Sequence, residues 1–294
     1  MAGCMRRGSL LGGGLLWLVL LWRAACFGAQ PEILPGLDFG RLAPREVRVY
    51  LPAGGVTSAT PVLVSLDGQN MVAWRLEEAL AGLVAQGRVV PLVVAISAGA
   101  DRIEEYGLAG TLDYAGRGKK SAEFQRFVIA SVLPVVRMRY RVTADPARTG
   151  IMGSSLGGLA AFDLAWHHPE VFGLAGIFSG SFWWRGDNSN LAAKQASRLA
   201  HRLVRESAAV PHLRLWFEAG TMDETDDRDG NGVIDAIQDT TELIDELARR
   251  GLPRGPSLVY REIKDGRHHE STWAQALPEF LNWASAQSGL PSHR

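Results

Sequence analysis

Residues 153–157 read Gly-Ser-Ser-Leu-Gly, which places Ser155 at the centre of the pattern Gly-x-Ser-x-Gly. Residues 149–152 have the composition of a strand, and the residues from Leu156 onward have the pattern of a helix. On such a strand-to-helix turn a serine is strained and its hydroxyl is exposed, while glycines let the chain pass close by. The free N–H groups of the helix would face the charge that develops when a carbonyl is attacked. The pattern therefore predicts that Ser155 is a nucleophile for acyl transfer.

A serine hydroxyl is a weak nucleophile at its ordinary pKa and needs an adjacent base. On folds built around this turn, the chain order is serine, acid, histidine. That order leaves two of the seven histidines, His268 and His269, in the loop after the final predicted strand. The acid, which orients the histidine, should follow the preceding strand. Four carboxylates lie there between positions 223 and 227; Asp223, in a Gly-x-x-Asp turn, is the predicted acid, and Glu224 is the alternative.

Short apolar segments alternate with longer amphipathic segments along the chain. Strands that alternate with crossover helices imply a mostly parallel sheet, and near-continuous apolar strands such as 91–96 fit burial on both sides. The sequence thus predicts an α/β fold with a central sheet, helices on both faces and no large lid. The predicted strands are 47–51, 61–66, 91–96, 148–152, 174–178, 213–218 and 258–263, and the predicted helices are 74–86, 122–139, 156–167, 191–206, 239–250 and 272–286.

The composition is that of an ordinary globular protein. The chain has 294 residues, of which 47% are hydrophobic and 21% are charged, enough for one large α/β domain. Lysine plus arginine equals aspartate plus glutamate at 31 each, which argues against a surface that binds nucleic acid or anionic lipid. No internal repeat or linker interrupts residues 30–294, which we expect to form a single domain.

The first 29 residues have the pattern of a signal peptide. Arg6 and Arg7 precede an apolar run over 10–21, and small residues follow it. The run is about a dozen residues long, shorter than the roughly 20 that span a bilayer. We therefore expect export to the periplasm or beyond, without a stable membrane span; lipid anchoring at Cys26 is the less favoured alternative. Because Cys4 and Cys26 are the only cysteines, the mature chain should contain no internal disulfide, cysteine nucleophile or thiolate metal site.

Five stretches, two of which include the residues discussed above, carry a family resemblance. They are Asp67-Gly-Gln-Asn70, Arg102-Ile-Glu-Glu-Tyr106, Gly153-Ser-Ser-Leu-Gly-Gly158, Ser179-Gly-Ser-Phe-Trp-Trp184 and His268-His-Glu-Ser-Thr-Trp273. In these stretches and their order, the sequence resembles the esterase family of the α/β hydrolases, which includes enterochelin esterase, S-formylglutathione hydrolase (esterase D), feruloyl esterases and the antigen 85 mycolyltransferases. The resemblance spans most of the chain after residue 29 and implies the α/β-hydrolase fold and chemistry on carboxylic esters.

The resemblance also assigns roles to the nucleophile and the base. Ser155 matches the family nucleophile. His268 matches the family histidine because Glu270 and Trp273 follow it as in the family pattern His-x-Glu-x-x-Trp. Spacing alone does not separate it from His269, so this preference comes from the resemblance.

The same resemblance implies an oxyanion hole and a substrate pocket. Gln69 or Asn70, in the loop after a strand, would supply one backbone N–H, and Leu156 would supply the other. Trp183 and Trp184 would line the pocket for the acyl or alcohol group. Burial of this pair in the core is the alternative, since tryptophans more often lie there.

Residues 227–235 resemble the first part of an EF-hand calcium loop. The oxygen ligands at loop positions one, three, five and nine would be Asp227, Asp229, Asn231 and Asp235, with glycine at position six for the sharp turn. Position twelve holds Gln238 in place of the bidentate glutamate, and Asp239 beside it could substitute. Bound calcium would be structural and would rigidify the loop that carries the acid. A solvated acidic loop is the alternative.

Together these features predict an exported serine esterase that cleaves a carboxylic ester through an acyl-enzyme and requires no redox or organic cofactor. The expected partner is a small-molecule or carbohydrate-linked ester. One alternative is an acyltransferase of the same family, in which an alcohol replaces water. The other is a catalytically inactive hydrolase fold that serves as a binding protein.

Overall fold

The fold is built on one eight-stranded sheet. The computed structural model describes residues 30–286, so the expected signal peptide at 1–29, with Cys4 and Cys26, lies outside the described residues. The strands are β1 Glu32–Ile33, β2 Val47–Tyr50, β3 Val62–Leu66, β4 Leu92–Ile96, β5 Thr149–Ser154, β6 Leu174–Phe178, β7 Arg214–Met222 and β8 Leu258–Arg267.

The strand order places the ends of six parallel strands at one edge of the sheet. The order is β1-β2-β4-β3-β5-β6-β7-β8. β2 is antiparallel to both β1 and β4, whereas every pair from β4 to β8 is parallel. In parallel sheets the segments that follow the carboxyl ends meet at the same edge, which is where α/β proteins bind ligands. Here that edge receives the segments after β3, β5, β6, β7 and β8.

Helices cover the sheet on two sides. They are α1 Leu76–Ala85, α2 Arg102–Glu105, α3 Ser121–Arg126, α4 Leu133–Tyr140, α5 Leu156–His167, α6 Leu191–Ala196, α7 Leu199–Glu206, α8 Asp235–Arg249 and α9 Glu270–Ser285. α1 and α9 pack on one face, and α3, α4, α5, α7 and α8 pack on the other. Among the described helices, none is long and apolar enough to cross a bilayer.

The alternation of side chains along each strand produces two cores. In β4, Leu92, Val94 and Ile96 join the larger core beside α5, whereas Val93 and Ala95 join the core beneath α1 and α9. Successive side chains of a strand point to opposite faces, so a strand buried on both sides must be apolar throughout. All five residues of β4 are buried, and the predicted α/β fold with helices on both faces is confirmed.

Two strands are longer than the sequence predicts. β7 continues past 218 to Met222, and β8 continues past 263 to Arg267, where these two residues pair across a register shift. Apart from Met222 the added residues are small or polar, so apolar periodicity does not reveal them. Their pairing brings the segment after β7 next to the segment after β8.

Two predicted helices are interrupted. The segment predicted as one helix over 122–139 contains a π-helical turn at Phe127–Val132 between α3 and α4. α4 begins there with Pro134 in its first turn, where the missing N–H does no harm. The segment 191–206 is divided into α6 and α7. The short elements β1 and α2 carry no periodic pattern and were not predicted.

A glycine in β6 makes room for an aromatic cluster of α9. A β-carbon at Gly176 would lie 2.5 Å from a ring carbon of Phe280, which is itself packed against Phe178 and Trp216. We expect Gly176→Ala to lower the free energy of unfolding in urea by about 1–3 kcal/mol, because the ring is fully buried and has no free volume to move into.

The matched control is Gly82→Ala in α1, where an added β-carbon meets nothing within 4 Å. Alanine is the better helix former, so this variant should be unchanged or more stable by up to about 1 kcal/mol. Equal stability of the two variants would contradict the packing of α9 on β6.

Candidate active site

The turn at Ser155 joins β5 to α5 in a strained backbone conformation. Ser155 has φ 55° and ψ −125°, a region that residues with a β-carbon rarely adopt. A β-carbon at Gly153 would lie 2.4 Å from the carbonyl oxygen of Gly157, so only glycine fits there. The Ser155 N–H donates to Phe178 O at 2.9 Å, and the Ser181 N–H donates to Ser155 O at 3.1 Å. Hydrogen bonds to β6 and the segment after it therefore hold the strained turn.

Two of the candidate oxyanion N–H groups have no hydrogen-bond acceptor within residues 30–286. The Leu156 N–H begins α5, and the Gln69 N–H lies in the 3₁₀ turn Gly68–Asn70; both precede the first residues that find an intrahelical acceptor. The Asn70 N–H instead donates to Asp67 O at 2.9 Å. Of the two candidates in the loop after β3, only Gln69 has a free backbone donor.

The loop after β3 is held by contacts to two neighbouring segments. Asp67 has a left-handed φ of 55°, and its carboxylate accepts two hydrogen bonds from the Arg102 guanidinium, both at 2.7 Å. The same guanidinium donates to Ser154 O at 3.4 Å, beside the nucleophile. The Gln69 side chain accepts the Ala98 N–H at 2.9 Å. Arg102, which has no role in the sequence prediction, thus connects the candidate oxyanion loop to the turn.

His268 lies between the end of β8 and the start of α9. Its ring packs edge-on against Trp273, with centroids 5.4 Å apart and planes at 85°. Although His268 is exposed to solvent, partial desolvation of its ring lowers the pKa of His268 below its usual value; the Asp223 carboxylate acts to raise it, and the Arg102 guanidinium to lower it further. The imidazole is therefore neutral near pH 7 and able to accept a proton. Within the described chain, no hydrogen bond joins it to Ser155 or Asp223.

His269 has a different environment. It is the N-cap residue of α9, and its Nδ1 accepts the Ser271 N–H at 3.1 Å. Its exposed side chain also lies 3.5 Å from the Glu270 carboxylate. Glu270 in turn accepts a hydrogen bond from the Asn70 side chain at 3.3 Å, which ties the start of α9 to the loop after β3.

The two candidate acids face different groups. Asp223 is 9% exposed; burial raises its pKa, and the charge of His268 acts to lower it. Glu224 has a pKa raised to about 7 by burial and by the negative charges of Asp235, Asp226 and Asp239. Only Asp223 interacts electrostatically with His268, whereas Glu224 faces the acidic loop.

Two serines of the segment after β6 lie against the site, and the sequence prediction missed both. The Ser181 hydroxyl is 3.3 Å from the Ser155 hydroxyl and is almost fully buried. The Ser179 hydroxyl accepts the Trp273 indole N–H at 2.9 Å. Both serines are in the stretch at 179–184 that carries the family resemblance, but a serine beside a glycine gives no signal of its contacts.

The two neighbouring tryptophans differ in burial. Trp184 is fully buried in the larger core, so in this conformation it has no surface to offer a ligand. Trp183 is only half-buried, and the Arg117 guanidinium lies 5.4 Å from its ring centroid. Of the two predicted pocket residues, Trp183 alone reaches the surface.

The five predicted calcium ligands do not converge on a common point. Asp227 accepts the N–H groups of Asn231 and Gly232, and Asp229 accepts the Gln238 side chain at 2.9 Å. Asp235 and Asp239 instead form ion pairs with Arg228, at 3.2 and 2.7 Å. No group of three His, Cys, Asp or Glu side chains in residues 30–286 is arranged to hold a metal ion. The loop as folded does not fit calcium, since arginine holds two of its ligands.

Comparison with known proteins identifies the family. The family model described as "Putative esterase" matches residues 43–284. The chain belongs to this esterase family. The Escherichia coli K12 protein named iron(III) enterobactin esterase is 25% identical over 244 residues, which cover 81% of this chain and 52% of that protein. An endo-1,4-beta-xylanase/feruloyl esterase of Xylanibacter ruminicola is 28% identical over 149 residues, which cover 46% of this chain and 19% of that protein.

Solved structures agree with the fold. The enterobactin esterase of Shigella flexneri superposes with a TM-score of 0.65 at 22% identity, covering 86% of this chain and 58% of that one. The S-formylglutathione hydrolase of Staphylococcus aureus gives 0.58 at 16% identity, covering 88% and 98%. The α/β-hydrolase fold and the resemblance to the esterase family are thereby confirmed. The chain spans about half the length of the enterobactin esterases it matches. Membership of the esterase family supports ester hydrolysis.

Glu218, near the middle of β7, is a second carboxyl group close to the site. It is fully buried, and neither of its oxygens has a hydrogen-bond partner in the described structure. Burial, together with the negative charge of Asp223, raises the pKa of Glu218 to about 8. Glu218 is therefore largely protonated at neutral pH, which leaves Asp223 as the charged carboxylate beside His268.

The raised pKa makes stability depend on pH. The folded state keeps a proton on Glu218 up to about pH 8, whereas the unfolded state releases it near 4.5. The stabilisation of the folded state by this pKa difference is fully present below pH 4.5 and is lost as the pH rises through 8. In the wild type, we expect the free energy of unfolding to fall by on the order of 1–3 kcal/mol between about pH 5 and 8. In Glu218→Gln this fall should be absent, because the titrating group is gone.

Urea titrations at several pH values would measure this difference. The control is Glu77→Gln, an exposed residue of α1, which should follow the wild-type pH dependence. A wild-type fall that persists unchanged in Glu218→Gln would show that other groups cause it.

Proposed function

We propose that this chain is a serine esterase in which Ser155 attacks the ester carbonyl and His268 accepts the serine proton. The observation that carries the proposal is the strained turn at Ser155, which is followed by a helix with a free N–H at Leu156. A non-glycine residue in this conformation costs free energy and is typical of functional sites. Membership of the esterase family supports the same chemistry.

Asp223 is the proposed acid, because its carboxylate interacts with His268 and Glu224 faces elsewhere. It would hold the imidazole orientation and stabilise the imidazolium that forms. The free N–H groups of Gln69 and Leu156 are the proposed oxyanion donors.

The reaction proceeds in two transfers. The Ser155 oxygen forms a bond to the carbonyl carbon as its proton passes to His268, and the tetrahedral intermediate carries its negative charge on the former carbonyl oxygen. The C–O bond to the alcohol then breaks, and the imidazolium protonates the leaving oxygen. Water, deprotonated by His268, attacks the acyl-enzyme and releases the acid and the free serine. No step requires a cofactor or a metal ion.

The proposed substrate is a small-molecule or carbohydrate-linked ester. The relatives are named enterobactin esterase and feruloyl esterase, and both names denote ester hydrolysis. The half-buried Trp183 offers an aromatic surface against which part of such a substrate would pack. We also propose that residues 1–29 are an export signal and that residues 30–294 form the single esterase domain. The signal would place the enzyme outside the cytoplasm.

Hydrolysis of p-nitrophenyl acetate and butyrate tests the nucleophile and the base. We expect Ser155→Ala and His268→Ala each to lower kcat/KM by at least about 10³-fold, because the serine is not activated without its base. His269→Ala is the matched control and should retain activity within about threefold, since His269 caps a helix end. Full activity of Ser155→Ala would overturn the proposed function.

The acid is tested by a second matched pair. We expect Asp223→Asn to lower kcat by about 10²- to 10⁴-fold, because an amide neither fixes the productive tautomer nor stabilises the imidazolium. Glu224→Gln, which changes the adjacent carboxyl, should leave kcat close to wild type. The reverse ranking of the two variants would assign the role to Glu224.

A further inference from the structure

Ser179 has a left-handed backbone conformation that is unfavourable for a serine and that glycine would adopt without strain. It follows β6 directly, has a φ of 45°, and is only 4% exposed. Its N–H donates to Glu218 O at 2.8 Å, which extends the pairing of β6 with β7. Glycine adopts this region without strain, so a serine here is unfavourable unless its side chain contributes.

The Ser179 hydroxyl already accepts one hydrogen bond. The Trp273 indole N–H, which can only donate, lies 2.9 Å from the Ser179 oxygen. The hydrogen of the hydroxyl is therefore free to be donated to another group. The ring of Trp273 is the surface against which His268 packs edge-on.

A candidate acceptor for that hydrogen is the Asp223 carboxylate, which interacts with the Ser179 side chain. The side chain of Asp223 folds back over Gly220, where an added β-carbon would lie 2.8 Å from one carboxylate oxygen. Gly220 is in β7, the strand that pairs with β6 next to Ser179. Neither Asp223 oxygen has a hydrogen-bond partner in the described residues; burial raises the pKa of this carboxyl, and the approach of the Ser179 hydroxyl acts to lower it.

The same hydroxyl also approaches Glu218. Because Glu218 is largely protonated near pH 7, the charged acceptor is Asp223. A hydrogen bond to a charged carboxylate is stronger than one to a neutral group.

We propose that Ser179 is a positioning residue that links the acid to the base: its hydroxyl accepts from Trp273 and donates to Asp223. The Ser179 side chain then holds both the Asp223 carboxylate and the Trp273 ring in place. The His268 ring is oriented between these two groups. This inference rests on the proposed function, because it assigns Asp223 and His268 their roles. It explains why a strained residue with a hydroxyl stands where glycine would fit.

Two substitutions separate the effect of the Ser179 hydroxyl on activity from the effect of its strained backbone. Ser179→Ala removes the hydroxyl and keeps the strain, whereas Ser179→Gly removes both. We expect both variants to lower kcat by about 10- to 100-fold with KM changed by less than about threefold, since orientation rather than binding is lost. If Ser179 matters only for the turn, Ser179→Gly will keep the wild-type kcat, and the proposal is overturned.

The control for relief of strain is Arg141→Gly. Arg141 has φ 53° at the exposed end of α4, away from the site. This variant should keep the wild-type kcat and be no less stable.

A measurement without substrate separates this proposal from the proposed function. NMR follows exchange of the Trp273 indole proton, assigned by its loss in Trp273→Phe, and titration of His268, assigned by its loss in His268→Gln. We expect Ser179→Ala to speed indole exchange by at least about tenfold, because the buried N–H loses its acceptor.

The His268 titration should also move to lower pH in Ser179→Ala. Asp223 loses the donor that orients its carboxylate toward the ring, and it therefore stabilises the imidazolium less. The other groups that act on this cluster are Glu218 in β7, Arg102 in α2 and Glu270 in α9, and all are unchanged by the substitution. Unaltered exchange and titration overturn the role of Ser179 even if Ser155 proves essential. Activity that survives Ser155→Ala overturns the proposed function instead.

Discussion

The sharp turn at Ser155 determines where every other group of the site must lie, yet its backbone conformation is unfavourable by itself. Such a conformation costs on the order of 1–3 kcal/mol and persists only where the surrounding structure leaves no alternative. β5 lies in the interior of the sheet with all six residues buried, and hydrogen bonds involving Phe178 and Ser181 hold the turn from the side of β6. The packed sheet therefore offsets the strain and presents the serine at the edge where the loops meet.

The charges around the base satisfy two opposed requirements. A general base must be neutral before the reaction and must tolerate a positive charge during it. Partial desolvation and the Arg102 guanidinium favour the neutral imidazole of His268, whereas the Asp223 carboxylate favours the charged form. The Glu270 carboxylate also acts to favour the charged form. Burial of Glu218 and the negative charge of Asp223 raise the pKa of Glu218 to about 8, so this group is largely neutral and places no second negative charge beside Asp223.

Local patterns in the sequence predict the scaffold better than the contacts of the site. The strand, turn and helix around Ser155 are contiguous, so composition and spacing are enough to predict them. His268 and His269 are adjacent, and spacing cannot tell which of them caps α9. The hydrogen bond between Ser179 and Trp273 joins residues 94 positions apart, and neither residue carries a local sign of the other. Such contacts depend on the sheet order, which the sequence alone does not give.

The acidic segment after Asp223 is a second case in which a local sequence pattern does not predict the contacts that form. Its spacing resembles a calcium loop, but spacing contains no information about arginines from distant segments. Arg198, at the N-cap of α7, forms an ion pair with Asp239 at 2.6 Å, and Arg228 from within the loop approaches the same carboxylate at 2.7 Å. In a calcium site the ion neutralises the converging carboxylates. Here the guanidinium groups of Arg198 and Arg228 supply the positive charge. Because Arg198 is at the N-cap of α7, its ion pair also links the start of α8 to α7. The segment between Asp223 and α8 is thus anchored at its α8 end by these ion pairs.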